Sequence, residues 1–105
     1  MSKSSIITDP DWLPNPTPGE ILLEDFLRPL NLSQSALARA LRVPPRRINE
    51  IVLGKRSITA DTDLRLTRYF GLTPGFFLGV QADHDLMERR RERGDDLELI
   101  APRAA

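Results

Sequence analysis

The side chains with the most specific chemistry in this chain are Pro45, Arg46, Arg47, Asn49 and Glu50. An arginine carries a planar fork of N–H donors that pairs with O6 and N7 of guanine. An asparagine amide suits adenine, a carboxylate can accept from cytosine N4, and a proline ring can touch a thymine methyl. A good bidentate pair of this kind discriminates against a wrong base by about 1–3 kcal/mol. Plainer readings stand beside this one. The charges can be a solvated helix face, Glu50 can orient Arg46 as an i, i+4 ion pair, and Arg47 can clamp a phosphate. Lys55 and Arg56 follow closely, in a position to meet phosphates, which fix register without reading sequence. Upstream, Gln34 and Ser35 open another helical stretch, where backbone N–H groups and the positive end of the helix dipole suit a phosphate.

The charge pattern supports such a surface. Lys and Arg total 15 and Asp and Glu total 15, so the net charge is zero. Residues 41–56 nonetheless hold five basic groups (Arg42, Arg46, Arg47, Lys55, Arg56) against Glu50 alone. A local patch governs phosphate contact more than the total does.

The elements that must position these residues can be read from spacing. From Gly19, the apolar residues Leu22, Leu23, Phe26, Leu27 and Leu30 predict a first helix, which Pro29 should end near Arg28. Ser33 stands where an N-cap belongs, before a second helix with Leu37 and Leu41 on one face. Ala38 and Ala40 are small enough for close helix approach. Arg42-Val43 make a tight turn, and Pro44-Pro45 open a third helix whose apolar face is Ile48, Ile51 and Val52, with Pro45 at its first position. Two short helices around a tight turn form a helix-turn-helix, whose second helix lies in the DNA major groove. Gly54 stops the third helix. Thr59 caps a fourth helix over 60–70, with Leu64, Leu66, Tyr69 and Phe70 as packing candidates, and Gly71 ends it. Thr73-Pro74 open a fifth helix expected to end at Gly94. The expected fold is all-α and five-helical. Residues 1–18 form an irregular proline-rich arm, 19–94 the DNA-binding domain and 95–105 a frayed tail. Trp12 and Leu13 can pin the arm to its own domain or meet a partner.

Other functions find little support. A chain of 105 residues fits one domain. There is no cysteine for a disulfide, a thiolate metal site or a nucleophile. His84 is the single histidine and lacks metal-binding company. No cofactor, metal site or catalytic residue is expected. No apolar run reaches the roughly 18 residues of a membrane span, no secretory signal is evident, and a cytoplasmic location is the expectation.

The stretch from Pro18 to Leu86 resembles the HigA group of antitoxins within the XRE-type helix-turn-helix regulators, a lambda-repressor-like fold. The resemblance rests on Pro18-Gly19-Glu20-Ile21-Leu22, Ser33-Gln34, Ala38, Arg47-Ile48-Asn49-Glu50-Ile51-Val52, Gly54-Lys55-Arg56, Ile58-Thr59-Ala60-Asp61-Thr62 and Gln81-Ala82-Asp83. It implies a five-helix domain, a homodimer, operator binding and a partner toxin that is a ribosome-associated mRNA endonuclease. The implied activity is repression of its own operon and neutralisation of that toxin by binding. The alternative is a free-standing XRE-type regulator without a toxin. Thr17, Arg42, Leu53 and Gly79 depart from the family's usual residues. Arg42 matters most, because it occupies a turn position that favours glycine, where a non-Gly residue at positive φ costs about 1 kcal/mol. In a dimer, the fifth helix can supply core and interface together, with Phe76, Phe77, Val80 and Leu86 as interface candidates. Two-fold symmetry would then set the reading helices about 34 Å apart on a palindromic site. The run from Glu88 to Arg93 reads as a solvated face that could instead contact a toxin or RNA.

Overall fold

A proline and a capping box start the first helix. Thr17 Oγ1 accepts from the Glu20 amide at 3.1 Å, and Glu20 Oε1 accepts from the Thr17 amide at 2.9 Å. In this computed structural model, which describes residues 13–104, α1 comprises an α-helical turn, Pro18–Ile21, that widens into a π-helical segment, Leu22–Leu27. The Arg28 amide bonds Leu23 O at 3.0 Å, the i→i+5 reach of a π turn. Pro29 follows directly and cannot donate, so the ladder stops. The chain then turns through Asn31 at φ 51°. Leu30 lies past this end and is exposed, not part of the apolar face expected from spacing.

Helix α2 is Gln34–Leu41, capped by Ser33, whose Oγ accepts from the Ala36 amide at 3.0 Å. It closes through Arg42 at φ 62°, ψ 44°, with the Val43 amide returning to Ala38 O at 3.0 Å. This is the left-handed helix exit usually given to glycine. The predicted strain at Arg42 is therefore present. Helix α3, Pro45–Val52, starts from Pro44 in an extended conformation and buries Ile48 and Ile51. Helix α4, Ala60–Phe70, is capped by Thr59 and exits through Gly71 at φ 69°. Thr62, Asp63, Leu66 and Thr67 are its buried residues. Leu64 and Tyr69, expected to pack, are 56% and 46% exposed, because the buried stripe runs through 62, 63, 66 and 67 instead.

Helix α5 is Phe76–Glu98. Two of its expected boundaries move. Thr73-Pro74 form a turn before it, with Gly75 at φ 95° as its N-cap. Gly94 does not end it: that residue stays out of the positive-φ region, and the helix passes through a kink at Arg93 (φ −129°, ψ 20°) to Glu98. Gly75 has no side chain to cap the helix. Asp63 on α4 does so: it is 1% exposed, and its carboxylate accepts from the amides of Gly75 (2.6 Å), Phe77 (2.9 Å) and Leu78 (3.1 Å). An anion fits this helix start because unpaired amides and the dipole converge there. Gln81 makes the complementary tie. Its amide bonds both Ile58 N (2.6 Å) and Ile58 O (2.9 Å), fastening the α3–α4 loop to α5.

The core joins all five helices through Leu22, Leu27, Leu37, Ala38, Leu41, Ile48, Ile51, Ile58, Leu66 and Phe77. Phe26 stacks beside Phe70 and Phe77 at centroid distances of 4.8 and 5.5 Å. Phe77 has no exposed surface, so its place among the interface candidates is corrected: its ring is enclosed by its own domain. Phe76 and Leu86 are exposed and Val80 is half-buried. The described part of the arm lies along α5. Asn15 Nδ2 donates to His84 O (3.0 Å) and Glu88 Oε2 (2.8 Å), His84 Nδ1 donates to Asn15 O (3.0 Å), and Arg91 donates to Leu13 O (2.6 Å). Glu88 and Arg91 are thus engaged with the arm and are not simply part of a solvated face. Trp12 lies outside the described residues.

Gly19 shows how closely α1 approaches α3. A Cβ built on it would overlap the Ile51 carbonyl and stand 2.9 Å from Val52 Cα. The obstacle is backbone, which cannot rotate away as a side chain can. Gly19→Ala should lower the unfolding free energy by about 3 kcal/mol. Urea denaturation measures this, and a loss below about 1 kcal/mol would show that α1 and α3 can separate without penalty.

Candidate nucleic-acid interface

Three short pieces of chain bring the candidate site together: the start of α2, the first two turns of α3 and the loop after α3. The Ser33 cap fixes where α2 begins and so places Gln34 and Ser35 at its first positions. Pro44 and Pro45 fix the start of α3. Gly54, at φ 75°, turns the chain after α3, and the Lys55 amide closes back on Glu50 O at 2.8 Å. Pro45, Arg46, Asn49, Lys55 and Arg56 are exposed, and so is Ser35. Gln34, Arg47 and Glu50 are half-buried.

Hydrogen bonds join these pieces. Asn49 Nδ2 donates to Gln34 Oε1 at 3.2 Å, linking the front of α3 to the start of α2. Bidentate recognition of adenine needs Oδ1 and one N–H. The bond to Gln34 uses only one of the two Nδ2 hydrogens, so it can orient the Asn49 amide while the rest of it meets a base. Arg46 Nε donates to Glu50 Oε2 at 2.9 Å. Arg56 meets the other oxygen, with Nε at 2.9 Å and Nη2 at 2.8 Å from Glu50 Oε1. The ion pair read as an alternative at 46 and 50 is therefore present, and Arg56 joins it.

A second cluster lies behind the first. Arg47 Nη1 pairs with Asp61 Oδ2 at 3.0 Å, and Arg65 Nε donates to the same oxygen at 3.0 Å. Arg65 also donates from Nη1 to Leu41 O at 2.8 Å, satisfying a carbonyl at the end of α2. Arg47 and Arg46 are neighbours in sequence but differ in setting: their side chains are 29% and 83% exposed. Arg47 ties α3 to α4, whereas Arg46 reaches outward. Asp61 and Arg65 had no place in the sequence-based site. Helical spacing allows their own i, i+4 pair, but the contacts that tie them to α3 and α2 reach Arg47, 14 residues away, and the Leu41 carbonyl, 24 residues away, and spacing gives no signal for those.

Both carboxylates are held below the usual acid range. Hydrogen bonds from Arg56 and then Arg46 stabilise ionised Glu50. For Asp61 the hydrogen bond from Arg65 is foremost, and Arg47 adds to it. Among the described residues there is no group of three or more His, Cys, Asp or Glu side chains that could hold a metal. No helix among them is long and apolar enough to cross a membrane.

This arrangement has known counterparts. Residues 23–77 match the helix-turn-helix family model. The chain belongs to the helix-turn-helix family. Virulence-associated protein I of Dichelobacter nodosus is 46% identical over 98 residues, covering 93% of this chain and 90% of that protein. The antitoxin HigA of Pseudomonas aeruginosa, solved with the higBA promoter, is 36% identical with a TM-score of 0.79, over 87% of this chain and all of that one. The antitoxin GraA in complex with its operator is 34% identical with a TM-score of 0.79, over 89% of this chain and 94% of that one. Within the family, these matches place the chain with the HigA-like antitoxins, and its fold is theirs: all-helical and XRE-type.

A lowered carboxylate pKa contributes stability that is present at neutral pH, above the unfolded value, and is lost as pH falls through the lower folded value. The double variant Glu50→Gln/Asp61→Asn should therefore show a shallower fall in Tm below about pH 4 than the parent. Circular dichroism melts across the acid range measure it, and parallel curves would mean that these ion pairs are not populated in solution.

Proposed function

We infer that this protein is a sequence-specific transcriptional repressor, acting as a homodimer on a palindromic double-stranded operator. We also infer that it is the antitoxin of a toxin–antitoxin pair, repressing its own operon and neutralising an mRNA-endonuclease toxin by binding it. The carrying observation is the open first turn of α3, where the Arg46 side chain is 83% exposed. Gln34 and Ser35 lie on one side of that turn and Lys55 and Arg56 on the other, a layout suited to phosphates flanking a read base. The similar antitoxins HigA and GraA, solved with promoter DNA and with operator, support DNA binding by this fold.

In this reading the candidates divide the work. Arg46 and Pro45 form the reading edge. Asn49 reads a base while Gln34 orients its amide. Lys55 holds phosphate through charge alone, and Arg47 serves mainly to brace α3. For the dimer, Phe76, Val80 and Leu86 on α5 remain the candidates once Phe77 is assigned to the core. This is a cytoplasmic, non-enzymatic role that needs no cofactor.

Arg46→Ala should weaken binding to the operator upstream of the protein's own gene by about 10-fold or more, while binding to random DNA falls far less. Fluorescence anisotropy at fixed salt measures both, and equal losses would show that Arg46 touches only backbone. Truncation of α5 before Leu86 should shift the sedimentation mass from dimer toward monomer; an unchanged mass removes that segment from the interface. Co-purification with the product of the adjacent gene tests the toxin. A protein that binds its operator but retains no such partner is a free-standing regulator.

A further inference from the structure

Glu50 is the half-buried member of the reading edge, and its surroundings fit poorly with a group that meets a base. One oxygen holds Arg46 Nε and the other holds two nitrogens of Arg56. Three of the roughly four acceptor positions of a carboxylate are thus filled by its own domain. To accept from a cytosine amine, Glu50 would have to release at least one arginine and leave it without its counter-charge. The grip on Arg46 has the opposite consequence. It engages Nε only, which leaves the outer edge of the guanidinium, Nη1 and Nη2, available for another partner on a side chain that is 83% exposed. That edge is one of the two donor pairs with which arginine meets O6 and N7 of guanine. A long side chain held in one direction before encounter also loses less freedom on binding.

The contrast with Asp61 supports this assignment. Asp61 likewise holds two arginines, but its partners are turned inward: Arg47 is mostly covered, and Arg65 is anchored to the Leu41 carbonyl. One cluster braces α3 and the other directs an exposed arginine. Arg56 completes the second cluster from the loop, so the direction of Arg46 depends on the chain that follows α3 as well as on α3 itself.

We propose that Glu50 is a positioning residue that fixes the direction of Arg46, through a fork shared with Arg56, and thereby sets base preference at the position Arg46 reads. This rests on the reading of α3 as the recognition edge and specifies how that edge selects its base.

The test uses the full-length protein and a duplex spanning the promoter region of its own gene, with each base pair of the bound segment varied in turn. Binding is measured for the parent, Arg46→Ala, Glu50→Gln and the double variant at fixed salt. Glu50→Gln is expected to weaken binding by about 10-fold and to flatten discrimination at the same base pair that Arg46→Ala flattens. The double variant is expected to bind no worse than Arg46→Ala, because the effect of Glu50 passes through Arg46. Flattening at a different base pair, with losses that multiply in the double variant, would overturn the proposal and make Glu50 a base reader. In the free protein, the Arg46 Nε–H resonance is expected to be slowed in exchange and resolved from those of unpaired arginines, and to lose both properties in Glu50→Gln. An Arg46 signal that is identical in the parent and Glu50→Gln would also overturn it. Failure of the parent to bind any segment of that duplex would count against the repressor reading, while the resonance would still decide the fork.

Discussion

The recognition helix has almost no freedom of its own, and a contact between backbones is the reason. α3 is eight residues long, too short to be stable as an isolated helix. Its direction comes from what it rests on. Gly19 lets α1 lie against the peptide groups of Ile51 and Val52 with no side chain between them. Ile48 and Ile51 fill the core beneath, and the tight exit through Arg42 holds α2 across the front. With the back and one flank fixed by atoms that cannot rotate, the exposed side of α3 becomes a defined surface. A base-reading arginine needs such a platform, because a small displacement of the helix would misalign both hydrogen bonds of a bidentate pair.

Polar ties extend this rigidity to the rest of the domain. Asp63 is buried, yet its carboxylate sits among three backbone amides at the start of α5, a helix whose own N-cap is a glycine. The buried charge is tolerated because it meets donors that would otherwise be unpaired. Gln81 in turn holds both backbone groups of Ile58, so the loop carrying Lys55 and Arg56 is fastened to the same helix. The strained exit at Arg42 fits this pattern. Its cost is offset by a Val43 side chain that is nearly buried and by the short helix–helix corner that the turn creates.

How much of this was legible depended on the range of each interaction. Helix starts at Ser33, Pro45 and Thr59 were readable because a cap acts within three residues of itself. The left-handed turn at Arg42 was readable only through the family resemblance, which marks that position as one where glycine is usual. The apolar faces of α2 and α3 followed helical spacing. Boundaries failed where a distant partner decides them. Gly75, not Thr73-Pro74, caps α5 because Asp63 reaches it from 12 residues away. Gly94 lets the helix continue because nothing there draws it into the left-handed region. Phe77, a candidate for core and interface alike by type, is core: it has no exposed surface, and its ring packs against Phe26 and Phe76. In the site, the Arg46–Glu50 pair follows from i, i+4 spacing. Gln81 and the ties of Asp61 to Arg47 and of Arg65 to the Leu41 carbonyl depend on how α4 and α5 dock, and local spacing accounts only for the Asp61–Arg65 pair.

The electrostatics of the reading surface follow from these same pairings. Counted along the chain, residues 41–56 carry five positive charges against one negative. In space the excess is unchanged, because Asp61 from α4 brings Arg65 with it, but most of the arginines are paired: Arg47 and Arg65 with Asp61, and Arg46 and Arg56 with Glu50. Nonspecific affinity for DNA grows with the number of phosphates neutralised and weakens with salt. A surface whose arginines are partly compensated gains less from any stretch of backbone it meets. Such a surface recovers affinity where its geometry is complementary to the DNA, and zero net charge is thus compatible with a DNA-binding protein.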